Sequence, residues 1–490
     1  MLRSWKLNLV LKNSTGLAVY LQIAQQIVDD IQNGRLAPAT AMPGTRELAE
    51  HLEVNRKTVV LAYDELIAQG WLVTQHRRGT FVSSKLPNFS SYPLAKNKTF
   101  ESTESNLATA DQTPQINNKT QLLIDFNDGI PDTRLIPLDI ISRAFRHTLL
   151  AKNTNPLGYG DPRGVLALRT ALATMLNLER GLNIDADNIC TARGSQMGIF
   201  LAARVLTKPN DYVVVEHLSY PPAREAFQSC GANILTVGLD DHGLDVAALE
   251  RCCKQYPIRA IYVTPHHQFP TTVMMTAERR LKLLILAKQY DFTIIEDDYD
   301  HEFHFAHHPV FPLASTRHDD HVVYVGSLSK VLAPGLRVGY LVASKTFIQQ
   351  CAKEVLLIDR QGNSITEHAV AELMETGEIK RHIRRTLKIY NERRNVLMAL
   401  IRNELNEFAH FDAPLGGLAI WLKINQTIEI EHFIKQALLA DVRLLPATLF
   451  TQDTFNINAI RLGFGSLNID ELTTGVHRLS HVFKTMTIKP

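Results

Sequence analysis

Four short runs constrain the fold of this chain more than anything else: DYVVVE, RAIYVTP, FTIIED and HVVYVGS, between Asp211 and Ser327. Each is rich in β-branched and aromatic residues, as strands are. Helix-length segments separate them. Strands that recur with helices between them pair parallel, because a parallel pair needs a long crossover. Residues 121–490 are therefore expected to form an α/β domain around a mostly parallel sheet.

The ends of these runs are polar. FTIIEDDYDHEF stops in acids and a tyrosine, Asp297 and Tyr299. VVYVGSLSK stops in Ser327, Ser329 and Lys330. Open α/β sheets bind ligands beyond the carboxyl ends of their strands, so an Asp, a Tyr and a Lys are expected at one crevice. A buried amine beside a carboxylate suits Schiff-base chemistry, and pyridoxal 5′-phosphate (PLP) needs a lysine, a ring-nitrogen acid and an anion site. TARGSQMGIFLAARVL offers the anion site: a small-residue turn whose Gly194, Ser195 and Gln196 present N–H groups at a helix start. Ser327 and Arg337 add a hydroxyl and a charged fork. Each piece alone has a plainer reading: a surface lysine, an acidic loop or metal site, a helix cap. Their combination is harder to obtain by chance.

A second unit precedes this one. TRELAEHLEVNRKTVVLAYDELIAQGWLV reads as two helices and a tight turn, with Thr45 as first cap and Leu48, Ala49 and Leu52 as apolar stripe. The second helix runs from Arg56 to about Gln69 and buries Val59, Val60, Tyr63, Leu66 and Ile67. GWLVTQHRRGTFVSS then reads as a hairpin, a wing with Arg77 and Arg78 at its tip. A helix-turn-helix puts the start of its second helix into the major groove. Here that start is Asn55, Arg56, Lys57 and Thr58, all able to meet phosphates or base edges; Arg46 adds a further cation. The plain alternative is a helical hairpin with a solvated face.

Three parts follow: 14–84, a DNA-binding unit; 85–120, rich in Ser, Thr, Asn and Pro, a flexible linker; and 121–490. The net charge of +2 is nearly neutral, so a DNA surface must be local. No apolar run reaches the roughly 18 residues of a membrane span, and no signal-peptide pattern opens the chain. The five cysteines lack metal-ligand spacing, so free thiols in the cytoplasm and no metal site are expected.

MPGTRELAEHLEVNRKTVVLAYDELIAQGWLVTQHRRGTFV resembles the winged helix-turn-helix of the GntR family, with Glu53 where that family has its turn glycine. From about Asp125 to Phe483 the chain resembles a fold-type-I aminotransferase. The resemblance implies an N-terminal winged helix-turn-helix (α+β) and a C-terminal α/β fold-type-I PLP-dependent transferase-like domain. It implies Lys330 as the cofactor lysine, Asp297 at the pyridinium nitrogen, Tyr299 at the ring hydroxyl, and Ser327 and Arg337 on the phosphate. Tyr220 matches the ring-stacking aromatic, Tyr159 a tyrosine reaching the partner subunit's phosphate, and Arg461 the arginine for a ligand carboxylate. HHQFPTT replaces the usual asparagine motif, so His267 or Gln268 is expected at the ring hydroxyl. The fused architecture, with DFNDGIPDTRLIP, YGDPRG and HIRRTLKIYNERR, resembles the MocR/GabR family of PLP-dependent transcriptional regulators. That implies a homodimer with swapped domains, an operator in double-stranded DNA, and a small amine, amino acid or PLP as signal. The rivals are an aminotransferase with an accessory DNA-binding arm, and a DNA-binding protein whose large domain only dimerises.

Overall fold

The computed structural model describes residues 9, 11, 17–32, 34–75, 78–86, 123–151, 155–305, 310–316, 321–451 and 457–487. Arg77, residues 14–16 and 87–122 lie outside them, so nearly all of the expected linker does too.

The N-terminal unit packs α1 (Val19–Gln32), α2 (Thr45–His51) and α3 (Arg56–Ala68) against a hairpin of β1 (Leu72–Gln75) and β2 (Gly79–Val82). Leu21, Ile27, Leu48, Val59, Leu66 and Trp71 share one core. The hairpin pairs Leu72 with Val82 and Gln75 with Gly79, so Arg78 stands at the tip of the wing. Asn55 caps α3, its side chain accepting from the Lys57 N–H at 2.9 Å. The cap of α2 differs from expectation. Gly44 holds that position without a side-chain bond, and Thr45 is already helical. The turn between α2 and α3 carries Glu53 at φ 54°, a left-handed conformation that a non-glycine residue adopts at a cost of about 1–2 kcal/mol. Helix α3 buries Val59, Tyr63 and Leu66 as its periodicity requires, and leaves Val60 and Ile67 partly exposed. It also buries Glu65, which periodicity does not announce.

The large domain is built on seven strands: β3 (Ile189–Ala192), β4 (Tyr212–Glu216), β5 (Asn233–Val237), β6 (Ile258–Val263), β7 (Thr293–Asp298), β8 (Val322–Ser327) and β9 (Gly339–Val342). Their order is β3-β9-β8-β7-β6-β4-β5, and β9 alone runs against the rest. Helices cover both faces, so these strands are nearly continuously apolar. Among the helices are α4 (Gly194–Leu206), between β3 and β4, and α5 (Ala277–Tyr290), between β6 and β7. A C-terminal layer follows: the long helix α6 (Glu378–Glu404), then β10 (Ala409–His410), β11 (Ala419–Ile424), β12 (Leu445–Pro446) and β13 (Ala459–Gly463), and α7 (Ile469–Thr487). Leu397, Ile420, Phe433, Leu462 and Phe483 make its core.

The two units touch. Ala277 and Leu281 of α5, with Phe311, complete the apolar core of the N-terminal unit. Beside them Arg280 is buried and donates to the carbonyls of Pro265, Met275 and Phe311. Among the described residues no helix is long and apolar enough to cross a membrane, and the five cysteines are free.

Candidate functional site at the strand ends

Register brings the first group together. β7 lies between β6 and β8, pairing Ile295 with Tyr262 and Asp297 with Val325. Side chains alternate along a strand, so Tyr262 and Asp297 share a face. The Tyr262 hydroxyl donates to Asp297 Oδ2 at 2.7 Å. Oδ1 of the same carboxylate is buried with no partner. Burial pushes this carboxyl up to about 7, against the pull of the Tyr262 O–H. Lys330 follows the end of β8, with Nζ 4.5 Å from the centre of the Tyr299 ring. Burial lowers its pKa, although Asp128, Asp300 and Asp297 oppose the shift. Tyr299 is buried and its hydroxyl donates to the His267 carbonyl at 3.2 Å.

An anion cradle lies alongside. α4 starts at Gly194, whose φ of 78° suits glycine. A Cβ there would sit 2.8 Å from Arg337 Nη2, so only a bare backbone lets the guanidinium lie on the helix start. Nη2 donates to the Arg193 carbonyl at 2.9 Å. Ser195 and Gln196 occupy the first turn, and the Gln196 amide donates to Pro222 O at 3.2 Å. Ser327 is buried and its hydroxyl accepts from the Ser329 N–H at 3.1 Å. Free N–H groups of a helix start beside a guanidinium bind phosphate well.

The other expected residues divide. Tyr220 packs its ring edge-to-face on Phe269, centres 5.4 Å apart. Arg461 is buried, donates to the carbonyl of Asp128 at 3.1 Å and lies 4.6 Å over the Phe269 ring. His267 is buried, with Nδ1 on Asp300 at 2.9 Å and Nε2 without a partner. Gln268 braces its own loop: its amide nitrogen lies within hydrogen-bond distance of Glu216, Leu218 O and Phe269 O, and its oxygen accepts twice from Thr271. Tyr159 is 81% exposed, with the Arg360 guanidinium 4.1 Å over its ring.

These residues fit PLP on observations of this chain: an orphaned carboxylate oxygen at Asp297, a desolvated amine at Lys330, and a glycine cradle under Arg337. Comparison with known proteins agrees. Residues 122–479 match the model for aminotransferase class I and II, and residues 19–82 match that for bacterial regulatory proteins of the gntR family. The chain belongs to the aminotransferase class I and II family. Fused to its GntR-type unit, it has the architecture of the MocR/GabR regulators. It is 26% identical over 474 residues to YdeL of Bacillus subtilis, an uncharacterized HTH-type transcriptional regulator, covering 97% of this chain and 98% of that one. It is 26% identical to a probable rhizopine catabolism regulatory protein, MocR, of Rhizobium meliloti, covering 97% and 96%. Its large domain superposes on the α-aminoadipate aminotransferase LysN of Thermus thermophilus with TM-score 0.69 and 26% identity, covering 75% of this chain and 93% of that one. That structure holds N-(5′-phosphopyridoxyl)-L-leucine. PLP is the cofactor of this family.

Sequence reasoning missed Tyr262, Asp128 and Asp300. Tyr262 sits inside an apolar run and reads as core. Only its register beside Ile295, two residues before Asp297, marks it.

Proposed function

We propose that this chain is a PLP-dependent, DNA-binding transcriptional regulator that senses a small primary amine or amino acid. The observation carrying this is the pairing in one chain of a GntR-type unit with a crevice that holds Lys330, Asp297 and Tyr299 together. PLP, when bound, supplies an aldehyde that condenses with primary amines. The chain's residues supply the rest. Lys330, its pKa lowered by burial, presents a neutral amine more readily than a surface lysine and can also move a proton at the ligand's α-carbon. Asp297 Oδ1 holds the ring-nitrogen proton, and Tyr262 fixes the carboxylate from the other side. Tyr299 and His267 border the ring oxygen, and Tyr220 covers the ring face. Gly194, Ser195 and Gln196 with Ser327 and Arg337 bind the phosphate. Arg461, a bidentate fork, grips a carboxylate or sulfonate on the ligand. Exposed Tyr159 reaches a partner's site in a homodimer. The exposed Arg46, Asn55, Arg56, Lys57 and Arg78, with partly exposed Thr58 and with Arg77, face operator DNA, in the cytoplasm.

Borohydride reduction tests the cofactor assignment. The expected result is a visible absorption band that borohydride bleaches, leaving a pyridoxyl group on Lys330 by peptide mass. A label on another lysine, or no band, rejects it. A second reading, turnover as an aminotransferase, is favoured by the same proton-moving Lys330. Repeated conversion of a keto acid with an amino acid would establish it.

A further inference from the structure

Asp298 follows Asp297 on β7, so it points to the opposite face of the sheet. There it meets His266, from the loop after β6, and His301, from the turn after β7. All three are at least 95% buried. Asp298 Oδ2 is saturated: Tyr324 donates to it at 2.6 Å and His301 Nδ1 lies on it at 2.7 Å. Oδ1 has no partner, nor has His301 Nε2, nor has either nitrogen of His266. Buried polar atoms are almost always satisfied, so orphans on all three residues of one cluster call for a missing atom. One ligand atom from each residue lies within 4.8 Å of the others.

We propose that His266, Asp298 and His301 bind one divalent transition-metal ion, zinc by preference, behind the sheet that carries the cofactor crevice. Two imidazoles and a carboxylate suit zinc, whereas magnesium and calcium prefer oxygen alone. Bonds to zinc are about 2.0–2.2 Å, so the three donors close inward by about an ångström and leave one position for water. His301 faces Asp298 through Nδ1, 2.7 Å from Oδ2, so Nδ1 is its donor and the ion takes the place of the proton shared there. Local charge permits the ion. Two guanidiniums are nearby: Arg180 lies 3.7 Å from Asp298 Oδ2 but is balanced by Glu302, and Arg280 faces Glu296 before Asp298. The ion ties the loop of His267 to the turn of Tyr299. The proposal stands apart from the regulator reading, since it uses none of the residues in the crevice.

The test uses the full chain with its cofactor, freed of metal by a chelator and titrated with Co²⁺. The expected result is one Co²⁺ per chain, with the weak visible bands of nitrogen and oxygen ligands and displacement by Zn²⁺. His266→Gln and His301→Asn each weaken binding at least tenfold. X-ray absorption of the zinc-loaded wild type shows imidazole scattering and no sulfur; this readout needs no variant to fold. Failure to bind one equivalent, binding unchanged in both variants, or a sulfur shell pointing to Cys252 and Cys253 overturns the site.

Discussion

At the scale of single residues, Asp297 is held by a neighbour on another strand. Removing the Tyr262 hydroxyl strips a hydrogen bond from a buried carboxylate, a bond worth about 1.5–3 kcal/mol when charged. Tyr262→Phe is expected to weaken PLP binding roughly tenfold or more, read by absorbance titration of apo-protein; an unchanged affinity would show that the carboxylate needs no such brace. Glu65 makes a second prediction. Burial pushes its carboxyl up to about 8, while the hydrogen bond from Gln69 and the charge of Arg280 only partly oppose this. The folded chain thus holds a proton that the unfolded chain releases near the ordinary 4.5. Stability falls as pH rises from there towards 8. The melting temperature of the N-terminal unit should decline across that window, and Glu65→Gln should flatten the decline. Equal slopes for the two proteins would contradict it. Lys330 and Asp297 were legible because apolar runs end abruptly at them. Tyr262 and Glu65 were not, because their roles depend on what packs beside them from elsewhere in the chain.

At the scale of elements, the turn between α2 and α3 stores strain at Glu53. Glu53→Gly removes the left-handed penalty but loosens the unfolded chain, for a net gain of about 0.5–1 kcal/mol. A higher melting temperature checks this; a lower one would show that the glutamate makes a compensating contact. The start of α3 is exposed and polar. Replacing both Arg56 and Lys57 by Ala should weaken operator binding and reduce its salt dependence by up to about 2 log units of affinity per log unit of salt. Unchanged salt dependence would remove this helix from the DNA. The strands of the large domain were legible by their alternation with helices, and the wing by its glycine and alternating pattern. The cap of α2 was misread, because a threonine before an apolar stripe looks the same whether it caps the helix or begins it. The antiparallel direction of β9 was hidden, since no local pattern distinguishes strand direction in a buried sheet.

At the scale of the whole molecule, the N-terminal unit shares an apolar core with α5, and Arg280 joins that helix to the loop leading to His266 and His267. A ligand that favours one arrangement of this contact shifts its population and so the placement of the DNA-binding units. Leu281→Asp buries a charge at the contact. It should leave the cofactor spectrum unchanged while abolishing the ligand's effect on DNA affinity. If the effect persists, coupling runs elsewhere. No pattern in the sequence announces this contact, because Ala277 and Leu281 read as part of an ordinary amphipathic helix. The central claim is that ligand chemistry at Lys330 and DNA binding are one linked equilibrium. It is tested by a single titration of the wild-type protein with candidate amines, following the cofactor's absorption and the anisotropy of a labelled operator duplex together. Both signals should change with the same midpoint. A spectrum that responds fully while operator affinity stays constant would contradict the account.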